Sequence, residues 1–506
     1  MKSFRRLRFF RIVVAAAVLI AFGILFTDKL AMPLPLARGQ FLPELLTLFA
    51  RVTAAAAIAI AVLALLSLLL GRVYCSFLCP LGILQDFAGF LGNLFKRKKF
   101  HFSHDRKALR YGTLLFVIAA ALYGWILPLA AVDPFAFFGR IGNSLIRPAA
   151  VWVNHYCWEK LRWNITPLEY HPVEMSAVWI AAATLLLLLI AVLWRGRIFC
   201  NTLCPTGALL GLLAAHSPRR LRISPEKCRK CRKCIAVCKS SCISDGDQIR
   251  IDNERCVSCF NCGAACPFDA ITFGKEPASE APVSAERRDF IIGGATAAIA
   301  GIGAGLLRRR QGAPNPMPVM PPGADNFADF SAKCTACGLC IANCPGKTLK
   351  SAGFEYGLSG IGQPRLEFSI GKCEYECTRC SNICPNGALI PQQLEAKQHL
   401  RVGMVEFYRE RCVVVIDDED CGACAEHCPT GALQMVPYKG TLTVPKVIPE
   451  LCIGCGSCEY ICPARPKAML IHGLAKQEKA AATLDMLKPA VDQPKSKTAP
   501  AGDFPF

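Results

Sequence analysis

Long runs of apolar residues alternate with basic and cysteine-bearing stretches along the first 200 residues of the chain. The first run, 10–26 (FRIVVAAAVLIAFGILF), is apolar throughout, and others cover about 52–70, 110–130 and 176–194. Unbroken hydrophobicity of this length predicts helices that cross a bilayer rather than amphipathic surface helices. A fifth run at 290–307 is rich in Gly and Ala. Elsewhere the pattern changes character. Residues 223–275 and 327–475 mix polar and apolar positions and are dense in cysteine. Residues 276–288 (EPASEAPVSAERR) read as a polar linker, and NPMPVMPPGAD as an extended Pro-rich spacer. From about 476 the tail is polar and reads as disordered. These shifts divide the chain into 1–222, 223–275, 276–326, 327–475 and 476–506.

Charge adds sidedness. The 506 residues are 53% hydrophobic yet carry a formal charge of +20, and the mean hydropathy is +0.34. Nucleic-acid binding would need a basic stripe interleaved with aromatics. Here the bases flank the apolar runs instead, which argues against a nucleic-acid partner. Lys2, Arg5, Arg6, Arg8 and Arg11 lead into or open the first run. Lys96, Arg97, Lys98, Lys99, Arg106, Lys107 and Arg110 separate the second from the third, and Arg195, Arg197, Arg219, Arg220 and Arg222 follow the fourth. The positive-inside rule then puts the N-terminus and both loops in the cytoplasm and the 131–175 loop on the opposite side. No small-residue cleavage site follows the first run, so a retained anchor is expected rather than a signal peptide. The fifth run has Arg287 and Arg288 before it and Arg308, Arg309 and Arg310 after it, so charge alone does not orient it.

Thirty cysteines change the picture again. A disulfide framework suits a short secreted chain, whereas these cysteines fall in tight groups that suit metal ligation. Residues 223–275 contain Cys228-x2-Cys231-x2-Cys234-x3-Cys238 and Cys256-x2-Cys259-x2-Cys262-x3-Cys266-Pro267. In this bacterial iron–sulfur run, three cysteines of a loop hold one [4Fe-4S] cluster and the fourth reaches across to the other. Cys228, Cys231, Cys234 and Cys266 are then one set, and Cys256, Cys259, Cys262 and Cys238 the second. Structural zinc also uses four thiolates, but its paired Cys-x2-Cys knuckles differ from this triple-plus-one pattern. Lys239 stands where proline usually follows, and the nearby Cys242 reads as a small buried residue rather than a spare ligand.

Residues 327–475 repeat the theme four times. Cys334, Cys337, Cys340 and Cys344-Pro345 keep the standard spacing, as do Cys452, Cys455, Cys458 and Cys462-Pro463. Cys373-x3-Cys377-x2-Cys380-x3-Cys384-Pro385 stretches one gap, and Cys412-x8-Cys421-x2-Cys424-x3-Cys428-Pro429 stretches it further. Six [4Fe-4S] clusters in one chain imply electron conduction rather than one catalytic centre. The expected fold is multidomain, an α-helical membrane domain of about five spans with α+β bacterial ferredoxin-like iron–sulfur domains. The chain lacks Cys-x-x-Cys-His, and none of its eight histidines lies in an apolar run, which argues against haem.

One phrase occurs twice: GRVYCSFLCPLG at 71–82 and GRIFCNTLCPTG at 196–207, each directly after an apolar run. The proline opens a new helix, and cysteines four apart share a helical face. Convergence of Cys75, Cys79, Cys200 and Cys204 at the cytoplasmic membrane surface would make an additional redox or cluster site. The alternative is a repeated turn packed by apolar thiols. Cys157 stands alone and reads as unligated.

On these motifs, residues 1–275 resemble the NapH/MauN membrane ferredoxin family. Residues 286–475 resemble NapG/MauM, its four-cluster periplasmic partner, to which ERRDFIIGG (a twin-arginine-like signal) and MPPGADNFADFSAKCTACGLCIANCP are similar. The resemblance implies a natural fusion acting as a quinol dehydrogenase module in a bacterial inner membrane. It would pass electrons between the quinone pool and a periplasmic oxidoreductase, with the two-cluster domain cytoplasmic and the four-cluster domain periplasmic. It also implies a pairing: Cys334, Cys337 and Cys340 with Cys462, and Cys452, Cys455 and Cys458 with Cys344. The inner sets would be Cys373, Cys377 and Cys380 with Cys428, and Cys412, Cys421 and Cys424 with Cys384. Asp133, His155 and His171 are candidates for quinol proton transfer, each with an ordinary loop role as the competing reading. The alternative function is a maturation or regulatory electron donor to a metal centre, with no quinone site.

Overall fold

The computed structural model describes residues 2–27, 34–95, 100–162, 167–168, 170–246, 248–274, 286–309 and 314–481. Residues 276–285 of the polar linker, the Lys96–Lys99 run and the tail beyond 481 lie outside the described residues, while 286–288 open a helix.

Helix α1 (Lys2–Leu25) is followed by α2 (Phe41–Ala50) and α3 (Ala54–Leu70). The Thr53 hydroxyl accepts the Ala56 N–H at 3.4 Å to start α3, and Gly71 ends it with φ +78°. After the first cysteine phrase come α4 (Pro80–Phe95) and α5 (Lys107–Leu122). The third apolar run was expected to be one span to residue 130. Instead α5 stops at Leu122, Gly124 turns the chain with φ +90°, and the run resumes as the short helix Leu127–Val132, with Pro128 in its first turn. A left-handed glycine followed by a proline offers the chain a turn that a continuous helix cannot accommodate. Helix α6 (Pro134–Ile141) follows at once, capped by the Asp133 carboxylate, which accepts from Phe135 N (3.1 Å) and Ala136 N (3.0 Å). Helix α7 (Met175–Arg195) ends on Gly196 (φ +67°), and after the second phrase comes α8 (Pro205–Ala215).

Two helices, Ser3–Leu25 and Met175–Arg195, are long and apolar enough to cross a membrane. The other expected spans form shorter apolar stretches, such as Ala54–Leu70 and, within α9 (Glu286–Arg309), Gly294–Leu306. The expected five spans are thus two long apolar helices and several shorter ones. Ile58 and Val62 on α3 and Trp179, Leu186 and Leu187 on α7 face outward without a protein neighbour to cover them. Helix α9 lies alongside α5 in the same direction: Gly294 faces Leu115, Gly301 faces Phe116, Ala119 and Ala120, and Gly305 faces Ala120 and Tyr123. A methyl group at Gly301 would sit 2.5 Å from the Phe116 carbonyl oxygen, so this seam depends on small residues.

Two cysteine-rich modules complete the chain. In the first, β1 (Arg220–Ile223) pairs antiparallel with β2 (Ile271–Gly274). The second holds β3 (Leu349–Ser351) with β4 (Pro364–Leu366), β5 (Leu400–Phe407) with β8 (Met469–Lys479), and β6 (Leu433–Lys439) with β7 (Leu442–Val447), all antiparallel. Its limits are wider than expected. The Pro-rich spacer belongs to the fold, with Val319 and Met320 buried and Val319 bridged to Leu366. The supposed tail supplies the end of β8, where Gln477 reaches the Met320 and Pro321 carbonyls. A polar strand edge that pairs through its backbone leaves little trace in the apolar pattern.

The two modules touch opposite ends of α1. Phe4 lies against Phe260 of the first, with ring centroids 6.3 Å apart. At the other end Phe22 and Leu25 share a buried cluster with Cys337 and Leu339 of the second, and Asn343 donates to the Leu25 carbonyl at 3.3 Å.

Candidate iron–sulfur sites and the buried thiol quartet

In the Cys-x2-Cys-x2-Cys loops the backbone adopts one shape four times. The residues just before and just after the middle cysteine are left-handed: Lys230 and Arg232, Ser258 and Phe260, Ala336 and Gly338, Gly454 and Gly456. Successive turns of this kind curl the main chain so that its amides can face a common centre, a suitable cradle for a negatively charged group. Five of the eight positions carry side chains with a β-carbon, for which this conformation is unfavourable by about 1–2 kcal/mol, so the surrounding loop must enforce it. The stretched loops after Cys373 and Cys412 lack the paired signature, although Asp418 in the longer insertion is left-handed at φ 52°.

Cys228, Cys231, Cys234 and Cys266 line one cavity, and Cys238, Cys256, Cys259 and Cys262 line another. Cys242 departs from expectation. It is buried, lines the second cavity, and its Sγ is 3.5 Å from that of Cys238, whose thiol it draws down to about 7.

In the second module the structure pairs the motifs differently from the resemblance. Cys412, Cys421 and Cys424 share a cavity with Cys462, and Cys452, Cys455 and Cys458 share one with Cys428. Cys384 faces Cys334 and Cys337, and Cys344 faces Cys373 and Cys380. The nested arrangement fails because consecutive motifs form one unit. The short helix Leu339–Ala342 packs on Arg379–Ile383, and Ala423–Glu426 packs on Ser457–Ile461, so each fourth cysteine points at its neighbour's loop. The two units meet where Cys373 N donates to Cys455 O at 2.9 Å and Val402 N to Ile453 O at 3.0 Å.

Burial pushes the thiols of Cys337, Cys373 and Cys424 up to about 12, and neighbouring cysteines add to the shift. Groups this reluctant to ionise give up their protons to a metal far more readily than to water. Four-thiol cavities at four of the sets and inward-curled amides in four of the loops fit binding of [4Fe-4S] clusters.

The two repeated phrases lie together in the fold. Cys75, Cys79, Cys200 and Cys204 are all buried, and each thiol lies within electrostatic reach of the other three. Cys204 Sγ caps α8, accepting the Gly207 N–H at 3.3 Å. Arg72 of the first phrase donates to Cys200 O at 3.1 Å, while Arg197 of the second donates to Cys75 O at 2.8 Å. The two left-handed glycines at Gly71 and Gly196 make this exchange possible, because each turns the chain at the end of its helix and starts the arginine toward the other repeat. In the sequence Arg197 reads only as one of the basic residues after an apolar run, and Arg72 carries no assigned role. Their place in the duplicated Gly-Arg phrase was the available signal.

The proposed proton-transfer residues are dispersed. Asp133 is fully buried and spent on the α6 cap, with its carboxyl pushed up to about 6 by burial. His155 Nε2 meets Leu168 O at 2.9 Å. His171 joins the two parts of the protein, Nδ1 accepting from Arg147 at 2.7 Å and Nε2 donating to Cys344 O at 2.8 Å. A guanidinium can only donate, which fixes that tautomer. Cys157 is half-buried on the helix Arg147–Glu159.

Comparison with known proteins agrees with this chemistry. The ferredoxin-type protein NapG of Escherichia coli (strain K12) is 30% identical over 197 residues, 37% of this chain and 84% of NapG. The chain belongs to the NapG/MauM ferredoxin-type family. Another relative of the family, the methylamine utilization ferredoxin-type protein MauM of Methylobacillus flagellatus, is 31% identical over 166 residues, 32% of this chain and 70% of MauM. The putative electron transport protein YccM of Escherichia coli is 31% identical over 193 residues, 37% of this chain and 47% of YccM. A 4Fe-4S binding domain family matches residues 52–99 and 176–224, and another matches 331–356. Dicluster domain families match 220–267 and 419–465. No solved structure matches the chain. The protein is therefore an iron–sulfur electron-transfer protein related to NapG and MauM.

Proposed function

We propose that the chain is a membrane-bound carrier with six [4Fe-4S] clusters that moves electrons between a quinone pool and a periplasmic redox partner. The observation that carries this reading is the placement of one cysteine-rich module at each end of α1. A 24-residue helix is about 36 Å long, enough to cross the apolar core of a bilayer. The parallel course of α9 beside α5 supports the same topology, because it carries the chain from the first module toward the second. Bound at the six sets, the clusters supply one-electron carriers. The protein's own residues hold the two ends in place: Arg110 pairs with Glu254 at the first module, and the Thr47 hydroxyl donates to Pro385 O at 2.7 Å at the second. Of the three candidates for quinol proton transfer, His171 is hydrogen-bonded to Cys344 O of a cluster-forming set, with both of its ring nitrogens engaged.

Accessibility tags at Lys275 and after Lys495 are expected to report opposite sides of the membrane. Arg287→Lys with Arg288→Lys is expected to strand the four-cluster domain inside. A quinol analogue is expected to reduce the clusters of the purified protein. Tags on the same side would overturn the topology, and clusters unmoved by quinol would overturn the donor.

A further inference from the structure

We infer that Cys75, Cys79, Cys200 and Cys204 hold a further iron–sulfur cluster, which relays electrons between the two modules. This inference rests on the electron-transfer reading above, but it is carried by its own observations.

The first is charge. Arg72 is fully buried, and among the described residues no carboxylate lies within ion-pair distance of it. Its guanidinium donates to Asn201 Oδ1, Glu254 O and Cys200 O and stands 3.9 Å from Cys75 Sγ, while its Nε has no partner. Beside it, Arg11, Arg197 and Lys239 share the single carboxylate of Asp86, at 2.6, 2.9 and 3.4 Å. Arg72 and Arg197 thus act on the four thiols with only the shared Asp86 carboxylate between them, while Arg11 and Lys239 also act on Cys259 of the first module. A buried charge without a counter-charge is strongly unfavourable, and neutral thiols supply none. Four thiolates around an iron–sulfur core are net negative and would meet that excess.

The second is construction. Each repeat contributes one cysteine from the turn after its helix and one that precedes the next helix, α4 or α8. Gly82 and Gly207 lie so close to the Cys75 and Cys200 carbonyls that a β-carbon at either would collide. Gln85 Nε2 lies 3.3 Å from Cys200 Sγ. Two arginines, a glutamine amide and the Gly207 N–H are therefore directed at the sulfurs or their backbone, as for ligands whose sulfur carries negative charge.

The third is position. Along α1, Phe4 touches the first module and Phe22 the buried cluster around Cys337. Eighteen residues of helix separate them by about 27 Å, too far for a direct electron step. The quartet lies between, where Arg11 of α1 meets Asp86. Cys75, Cys79 and Cys259 of the first module share one buried apolar cluster with Phe137, and Phe138, next on the same helix, belongs to the cluster around Cys337. Assembly would exchange four S–H bonds for four S–Fe bonds and release four protons. In transit the site would gain one electron as the Cys238/Cys256/Cys259/Cys262 cluster is oxidised and lose it as the Cys334/Cys337/Cys340/Cys384 cluster is reduced, or the reverse.

The test uses the full chain, purified anaerobically in detergent, with iron, sulfide, zinc and copper analysis and low-temperature EPR. Iron is expected to exceed the roughly twenty-four atoms of six cubanes by two, for a [2Fe-2S] core, or by four, for a cubane. Cys79→Ser and Cys204→Ser are each expected to lose that excess while the six ferredoxin signals persist, and Cys157→Ser to keep it. If the cysteine variants do not accumulate, Arg72→Gln retains all four thiols. It is expected to keep the iron and to lower the potential of the additional signal alone. Iron equal to six cubanes, excess iron that survives both cysteine substitutions, or zinc or copper in its place would overturn the inference. Because metal content requires no donor or acceptor, a failed quinol assay would leave this result standing.

Discussion

Lys397 is buried to 3% exposure, and its ammonium donates to the carbonyls of Glu374 and Tyr375, the latter at 3.1 Å. Among the described residues it has no carboxylate partner, and its charge acts on Cys373 of the Cys373/Cys377/Cys380/Cys344 set and on Cys455 of the Cys452/Cys455/Cys458/Cys428 set, which become the two inner sets where the units meet. A single positive charge about 8 Å from a cluster centre, at an effective dielectric of about 20, contributes about 2 kcal/mol. That corresponds to roughly 90 mV for a one-electron couple. The added electron makes each cluster more negative, so the lysine favours the reduced form. Lys397→Met keeps the volume, removes the charge, and is expected to lower the potentials of the two inner clusters by about 50–90 mV. The outer clusters should move far less. Anaerobic redox titration followed by EPR measures this directly. An upward shift, or a shift below about 20 mV in both inner clusters with iron content intact, would refute the reasoning.

Two further outcomes follow from buried groups. With Cys242 Sγ only 3.5 Å from Cys238 Sγ, Cys238→Ser is expected to retain a cluster through substitution by Cys242. Cys238→Ser with Cys242→Ser should lose about four irons, and equal loss in the single variant would show that Cys242 cannot serve. The Asp133 carboxyl, raised by burial to about 6, ionises later in the fold than in the unfolded chain at about 3.9. Stability should therefore fall as pH rises from about 4 to 6, by at most about 3 kcal/mol. Asp133→Asn, which preserves the cap, should flatten that slope in thermal unfolding, and an unchanged slope would assign it elsewhere.

The first module was legible because its spacing states the crossover outright. Applied twice more, the same rule would have paired Cys344 and Cys384 with each other's loops and Cys428 and Cys462 likewise. The implied nesting obscured this. Other features left no pattern to read. The left-handed turns at Lys230, Arg232, Ser258 and Phe260 fall on residues that rarely adopt that conformation, so only the loop as a whole reveals them. The break after Leu122 was marked by Gly124 and Pro128, but hydropathy alone averaged over it. The end of β8 is polar in sequence and is held by backbone pairing and Gln477.

The exchanged arginines reach beyond their local bonds. Arg72 serves the second repeat's Cys200, and Arg197 the first repeat's Cys75. In a two-fold dimer, residue i of one subunit touches residue j of the other, and j touches i. Here that reciprocity is folded into a single polypeptide, as though two identical protomers had been joined end to end. The serine and asparagine that follow each first cysteine, Ser76 and Asn201, both donate to carbonyls of the adjoining module, Val257 and Ser240. Neither half completes the buried centre alone, so the linkage between them spares the cell from matching two separate subunits.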